Sequence, residues 1–186
     1  MRVYMNESPK ESDWLEVKKR ALVTMAHAKL KNLPTSEWKH QILEARHSPI
    51  RRLLYSFYIE DIPYWVSVHL CRHVHAQPYI MSQRNDRQSD YDRTKAPQDS
   101  PVNMIFDVNA EELMVIANKR LCGKASKETR DVVREMCRLA EAETPELHGL
   151  LVPMCVYHGG VCHEMRSCGA NKELAHNETI NEGSDT

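Results

Sequence analysis

Arg72-His73-Val74-His75-Ala76-Gln77-Pro78-Tyr79-Ile80-Met81-Ser82-Gln83-Arg84 is the most informative stretch of the chain. It sets two arginines, two histidines and a serine around a short turn. Guanidinium groups offer fork-shaped sets of donors and serine and histidine offer single ones, a combination suited to phosphate oxygens and to the edge of a planar heterocycle. The same stretch also reads as a basic helix end that complements the helix dipole. Composition alone leaves both readings open.

Working outward, Pro63 suits the first turn of a helix running through Trp65, Val66, Val68, Leu70 and Cys71, which delivers Arg72 to His75 at its C-terminal end. Before it, Leu53 to Glu60 is rich in aromatic and branched residues and predicts a strand. Ser12-Asp13 precedes apolar residues at helical spacing from Trp14 to Ala26, so a first helix is expected, ending before Asn32 to Pro34. Thr35-Ser36 opens a second, short helix through Ile42 and Ala45, closed at His47-Ser48-Pro49 because the residue before a proline avoids the α region. Downstream, Asn85 to Pro101 is polar and predicts an exposed loop. Asn109 is a candidate N-cap for a helix carrying Leu113, Met114, Ile116 and Ala117. A helical pattern resumes from Ser126 through Ala140, with Pro145 as its far limit.

A second basic cluster is Asn118-Lys119-Arg120-Leu121-Cys122-Gly123-Lys124. If the helix continued, Arg120, Lys124 and Glu128 would share one face, and Lys124 with Glu128 could form a plain surface ion pair. No glycine-rich phosphate loop of a standard kind is present. A third feature is the run of Cys155, His158, Cys162, His163 and Cys168, which could supply a tetrahedral zinc site; the expectation is no metal, with Cys155, Cys162, His163 and Cys168 as the candidates if one binds. Cys71, Cys122 and Cys137 lie on apolar stretches and read as small core residues rather than activated thiolates.

The bulk numbers bound the rest. A chain of 186 residues fits one domain better than two. With 41% hydrophobic and 27% charged residues and a net charge of -1, the composition is that of a globular protein and does not advertise a nucleic-acid polymer as partner. No apolar run approaches membrane-spanning length, and the N-terminus lacks a signal peptide's apolar core, so a cytoplasmic protein with no membrane partner is expected. The stretch 170–186 has almost no large apolar side chain and is expected to be a disordered polar tail.

At these residues the sequence resembles the flavin-dependent thymidylate synthases, as a divergent member. Their signature is Arg-His-Arg, seven residues, then Ser, usually with an Arg two positions on; here it reads Arg72-His73-Val74, seven residues, Ser82-Gln83-Arg84. The similarity extends upstream to Ser48-Pro49 and the strand Tyr55 to Glu60. Downstream it takes in Val108-Asn109, Asn118-Lys119-Arg120-Leu121-Cys122, Glu128 and the Cys155 to Gly169 region. Ordered agreement at separated places is more specific than any one motif.

The resemblance implies an α+β fold, a single domain over 1–169 with an antiparallel sheet and helices, and a homotetramer with FAD at subunit interfaces. It implies reductive methylation of dUMP to dTMP with methylenetetrahydrofolate and NADPH as co-substrates. It puts Ser48, Arg72, His73, Asn109, Asn118 and Lys124 near FAD. It puts His69, Arg72, Ser82, Gln83, Arg84 and Arg120 near dUMP, with Ser82, Arg84 and Arg120 closest to the chemistry. Arginines on phosphate and pyrimidine oxygens would let C5 attack without an enzyme thiolate on C6. Departures from the pattern are Val74 for the second Arg of the signature, Arg51-Arg52 where Glu-His is usual, His69 where Gln is common, and Asn85 for Tyr. Two alternatives follow: a related flavoenzyme leaving another C5 group such as hydroxymethyl, and a non-catalytic, zinc-stabilised binding protein.

Overall fold

The strand at Leu54–Pro63 (β2) alternates from Tyr55 through Phe57 to Ile59 and, after a bulge at Glu60-Asp61, turns inward again at Ile62, all four fully buried. Pro101–Asn109 (β4) repeats the pattern with Val102, Met104, Phe106 and Val108. Because a strand's side chains change faces at every residue, the two sets lie on one face only if the strands pair in matching register. They do: Phe57 stands opposite Phe106, Tyr55 opposite Val108 and Ile59 opposite Met104, in antiparallel pairing. Arg2–Glu7 (β1) adds to the outer side of β2, and Ala76–Ile80 (β3) to the outer side of β4, giving a fully antiparallel sheet of order β1-β2-β4-β3. Pro78 is tolerated in β3 because β3 is an edge strand.

The computed structural model describes residues 1–26, 29–30, 32–87 and 91–170. Among the described residues six α-helices join the sheet: α1 (Glu11–Thr24), α2 (Ser36–Glu44), α3 (Tyr64–Cys71), α4 (Ala110–Arg120), α5 (Lys127–Glu143) and the single turn α6 (Met154–Tyr157). Short 3-10 turns cover Ser48–Arg52 and Pro145–Leu147. Helices α3, α4 and α5 pack on the sheet, α5 against β1 and β2, and α4 against α5. Val66 and Leu70, Leu113 and Ile116, and Val132 and Met136 meet the buried sheet face in one continuous core. Inside it the Tyr55 hydroxyl bonds the Thr144 hydroxyl at 2.9 Å, so the buried ring leaves no orphaned oxygen.

The expected α+β class with an antiparallel sheet is the one observed. Thr35 and Asn109 cap α2 and α4 by accepting from the backbone N–H of Trp38 and Glu112. Four expectations need correction. Pro63 ends β2 and sits at the N-cap of α3, not in its first turn. The short turn of residues 72–84 contains a strand, β3, because Ala76 and Ile80 alternate inward against β4. Strands β1 and β4, not anticipated, complete the sheet. Arg120, Lys124 and Glu128 do not share a helix face, since α4 ends at Arg120 and α5 begins only at Lys127. Of the tail at 170–186, residues 171–186 lie outside the described residues, as do 88–90 of the polar loop. Among the described residues no helix is long and apolar enough to cross a membrane.

Candidate functional site

Helix α3 ends at Cys71 with Arg72 as C-cap, and α4 ends at Lys119-Arg120, the two basic residues of its last turn. Both helix ends lie on the same cleft, of about 370 Å³, lined by Arg72, His73, Lys119, Arg120, Lys124 and Glu164 among others. Four cations face one carboxylate. Such a concentration on low-dielectric walls produces a positive potential that attracts an anion, and it is the reason two helices can end here, each adding carbonyl dipoles that offset part of the repulsion.

His73 is buried within this wall. Its Nδ1 stands 3.0 Å from Glu112 Oε1, and Arg120 Nε donates to its Nε2 at 3.0 Å. Burial, reinforced by Arg120 and Arg72, pulls the imidazole pKa down from 6.5 to about 4. His73 is therefore neutral near pH 7, and its link to Glu112 is a hydrogen bond rather than an ion pair. Burial also raises the Glu112 carboxyl and lowers Arg120, which remains a cation because arginine starts so high. A terminal nitrogen of Arg120 donates to the His69 carbonyl at 2.8 Å, and His69 Nδ1 lies 3.1 Å from the Thr129 hydroxyl on α5.

The neutral state of His73 has a measurable consequence. Between about pH 6.5 and 4 the unfolded chain binds a proton that the folded chain refuses, so the stability His73 contributes is complete above pH 6.5 and falls away as pH drops toward 4. From pH 7 to pH 5 the wild type is expected to lose up to about 2 kcal/mol more than His73→Gln, as read from urea midpoints. Parallel pH profiles for the two proteins would show that His73 is protonated normally.

The other candidate residues are dispersed. Ser48 lines a separate cavity of about 470 Å³ with Trp38, Met25 and His47, between α1 and α2. Asn109 spends its side-chain oxygen on the N-cap of α4. Asn118 is buried: its oxygen accepts from Arg46 at 2.6 Å and its amide donates to the Val152 carbonyl at 2.7 Å. Ser82 and Gln83 follow β3, and the Ser82 hydroxyl accepts from the Arg84 backbone N–H at 3.3 Å. Arg84 is exposed and forms a two-bond pair with Asp86 at 2.8 and 2.7 Å. Among the described residues lining the cationic cleft, Ser82, Gln83 and Arg84 do not figure. Val74 is 79% exposed, and Arg51 pairs with Glu111 on α4.

Cys155, Cys162, His163 and Cys168 do come together, with Cys122 and His158, around a pocket of about 150 Å³ that shares Lys119, Cys122 and Glu164 with the cleft. Among the described residues no three His, Cys, Asp or Glu side chains are grouped so as to hold a metal ion. Cys137 is buried as expected, its thiol pushed up to about 12 by burial, but Cys71 is exposed, because it falls at the outward end of α3. Backbone donation from Ala170 holds the Cys168 thiol below its usual value; that residue borders the cysteine pocket and not the cleft. Glu112, Lys119 and Glu164 are site residues that sequence reasoning missed. Only Lys119 carried a signal, its place in the basic run.

An α+β protein with a four-stranded antiparallel sheet and a cationic cleft at two helix ends is thus the class defined by the fold. A family model described as thymidylate synthase complementing protein matches residues 88–146, which take in β4, α4 and α5 but not the Arg72 to Arg84 stretch. Among solved structures the chain is similar to thymidylate synthase X from Helicobacter pylori with FAD and dUMP, at a TM-score of 0.65 and 14% identity, covering 81% of this chain and 99% of that one. A second structure of the flavin-dependent enzyme from the same organism, also complexed with FAD and dUMP, gives 0.65 and 15%, covering 82% and 100%. No curated protein sequence gives a significant match. The chain has the fold of the flavin-dependent thymidylate synthases, and its resemblance to that family holds in both comparisons.

Proposed function

We propose that the protein is a flavin-dependent thymidylate synthase that methylates C5 of dUMP, taking the one-carbon unit from methylenetetrahydrofolate and reducing equivalents from NADPH through FAD. The observation that carries this reading is the cationic cleft, in which Arg72, Lys119, Arg120 and Lys124 surround a neutral, buried His73. Its donors suit phosphorylated ligands, which both dUMP and FAD are. When bound, reduced FAD supplies the hydride that completes the methyl group. Arg120 binds nucleotide oxygen, Arg72 adds a second fork of donors, and the neutral imidazole of His73 can face a flavin or pyrimidine without adding another charge. Cys168, whose thiol is held below its usual value, borders a different pocket.

In this reading Ser82, Gln83 and Arg84 serve dUMP from a second subunit of a homotetramer. The support is that Arg84 is exposed on the single chain, next to the half-buried Ser82 and Gln83, and that the outer sheet face leaves Leu54, Tyr79 and Ile105 in solvent. Ser48, Asn109, Asn118 and Lys124 belong with FAD by the resemblance. For Ser48 the cavity beside it is compatible with a ligand, whereas Asn118 and Asn109 already have partners within the chain.

The test is an absorption spectrum of the purified protein, followed by a dUMP titration. A yellow protein with a flavin band whose shape shifts on adding dUMP is expected. A colourless protein that takes up no FAD and carries stoichiometric zinc would replace this reading with that of a metal-stabilised binding protein. Mass analysis of the product distinguishes a methyl from a hydroxymethyl group at C5.

A further inference from the structure

Glu112 has no part in the reading above, yet it is a carboxylate only 6% exposed, placed beside the one buried histidine of the cleft wall. The hydrogen-bond chemistry of the three residues admits one arrangement. Arginine has donors and no acceptor, so the bond from Arg120 Nε requires a bare lone pair on His73 Nε2. A neutral imidazole must then carry its proton on Nδ1, and the atom 3.0 Å from that proton's nitrogen is Glu112 Oε1, the acceptor. Ring and guanidinium are thereby fixed in sequence, from Glu112 through His73 to Arg120, while the bond from Arg120 to the His69 carbonyl fixes the far side of the fork.

We propose that Glu112 is a positioning residue: by accepting from His73 Nδ1–H it sets the imidazole tautomer and, through it, holds the Arg120 guanidinium ready for the anionic oxygen of the bound nucleotide. The proposal rests on the dUMP reading for its ligand but not for its geometry. Glu112 acts through two other side chains and does not itself line the cleft. The titratable and charged groups around the relay are Arg72 and Arg120 on His73, His75 and Glu111 on Glu112, and Lys119, Lys124 and Glu164 along the cleft. Pre-oriented donors spend less of the binding free energy on ordering a flexible arginine, which is what such a support would supply.

Two measurements on the full chain test it. The 15N spectrum of the His73 ring at pH 7 should show the Nδ1-protonated tautomer. An Nε2-protonated or doubly protonated ring would overturn the relay whatever the protein binds. Then dUMP titrations compare Glu112→Leu, Arg120→Lys and the double variant. Glu112→Leu should weaken dUMP about tenfold or more in the wild-type background and have little further effect beside Arg120→Lys, because its role passes through Arg120. Equal losses in both backgrounds, or none in a folded Glu112→Leu protein, would assign Glu112 to stability alone. Should Glu112→Leu not fold, Glu112→Gln, of equal size, replaces it in the same cycle, with a smaller loss that again vanishes beside Arg120→Lys. A wild-type protein that binds no dUMP would remove the functional reading, and the His73 spectrum would still decide the relay.

Discussion

Arg120→Ala is expected to weaken dUMP binding by roughly ten- to a hundredfold while leaving most of the FAD bound. The substitution removes a charge-assisted contact worth about 1.5 to 3 kcal/mol to a cleft that gathers its cations around this residue. It also frees His73 from the bond to its Nε2 and from a neighbouring charge that depresses its pKa, so the imidazole should become easier to protonate. Calorimetric titration with dUMP, alongside flavin absorbance per protein, separates the two ligands. Flavin lost in proportion to dUMP affinity would mean that Arg120 holds the wall together rather than the nucleotide. Arg84→Ala, on the exposed segment after β3 and paired only with Asp86 among the contacts of its guanidinium described above, should match the Arg120 effect only in an oligomer that brings this segment to another subunit's cleft.

Asn118→Ala is expected to destabilise the fold by about 2 to 4 kcal/mol with or without FAD. The carboxamide joins three elements: α4, which carries it; Arg46, which follows α2 and stacks over the Tyr157 ring at 4.2 Å; and the Val152 carbonyl. Arg46 already holds a buried Nε with no partner, and its backbone at φ 49 is in the left-handed region, so the guanidinium depends on Asn118 and Tyr157 for its place. Removing the amide leaves a half-buried cation and a half-buried carbonyl each short of a bond. Urea unfolding of the FAD-free protein measures this directly. An unchanged midpoint together with lost flavin would return Asn118 to the cofactor.

Both experiments probe residues that the sequence singles out for reasons different from those the structure supplies. The sequence by itself determined what is local. Thr35 and Asn109 are legible as caps because capping needs a side chain three residues from its donor and nothing else. Strand β2 is legible because its branched and aromatic residues are consecutive, and the alternation of Val102, Met104, Phe106 and Val108 was equally present in the sequence, though masked by the polar loop before it. The ordered spacing of Arg72-His73, Ser82, Arg84 and Arg120 carried the family resemblance. Only the tertiary structure decided which of these residues meet. His73 finds Glu112 and Arg120 across 39 and 47 residues, and Arg46 finds Asn118 across 72. The cleft exists because β3 and β4 pair and bring the ends of α3 and α4 side by side. No local pattern encodes that a glutamate in the first turn of α4 will be buried under a histidine. A side chain's chemistry is set by its own atoms, but its protonation, its tautomer and its partner are set by what the packed chain places within about 3 Å of it.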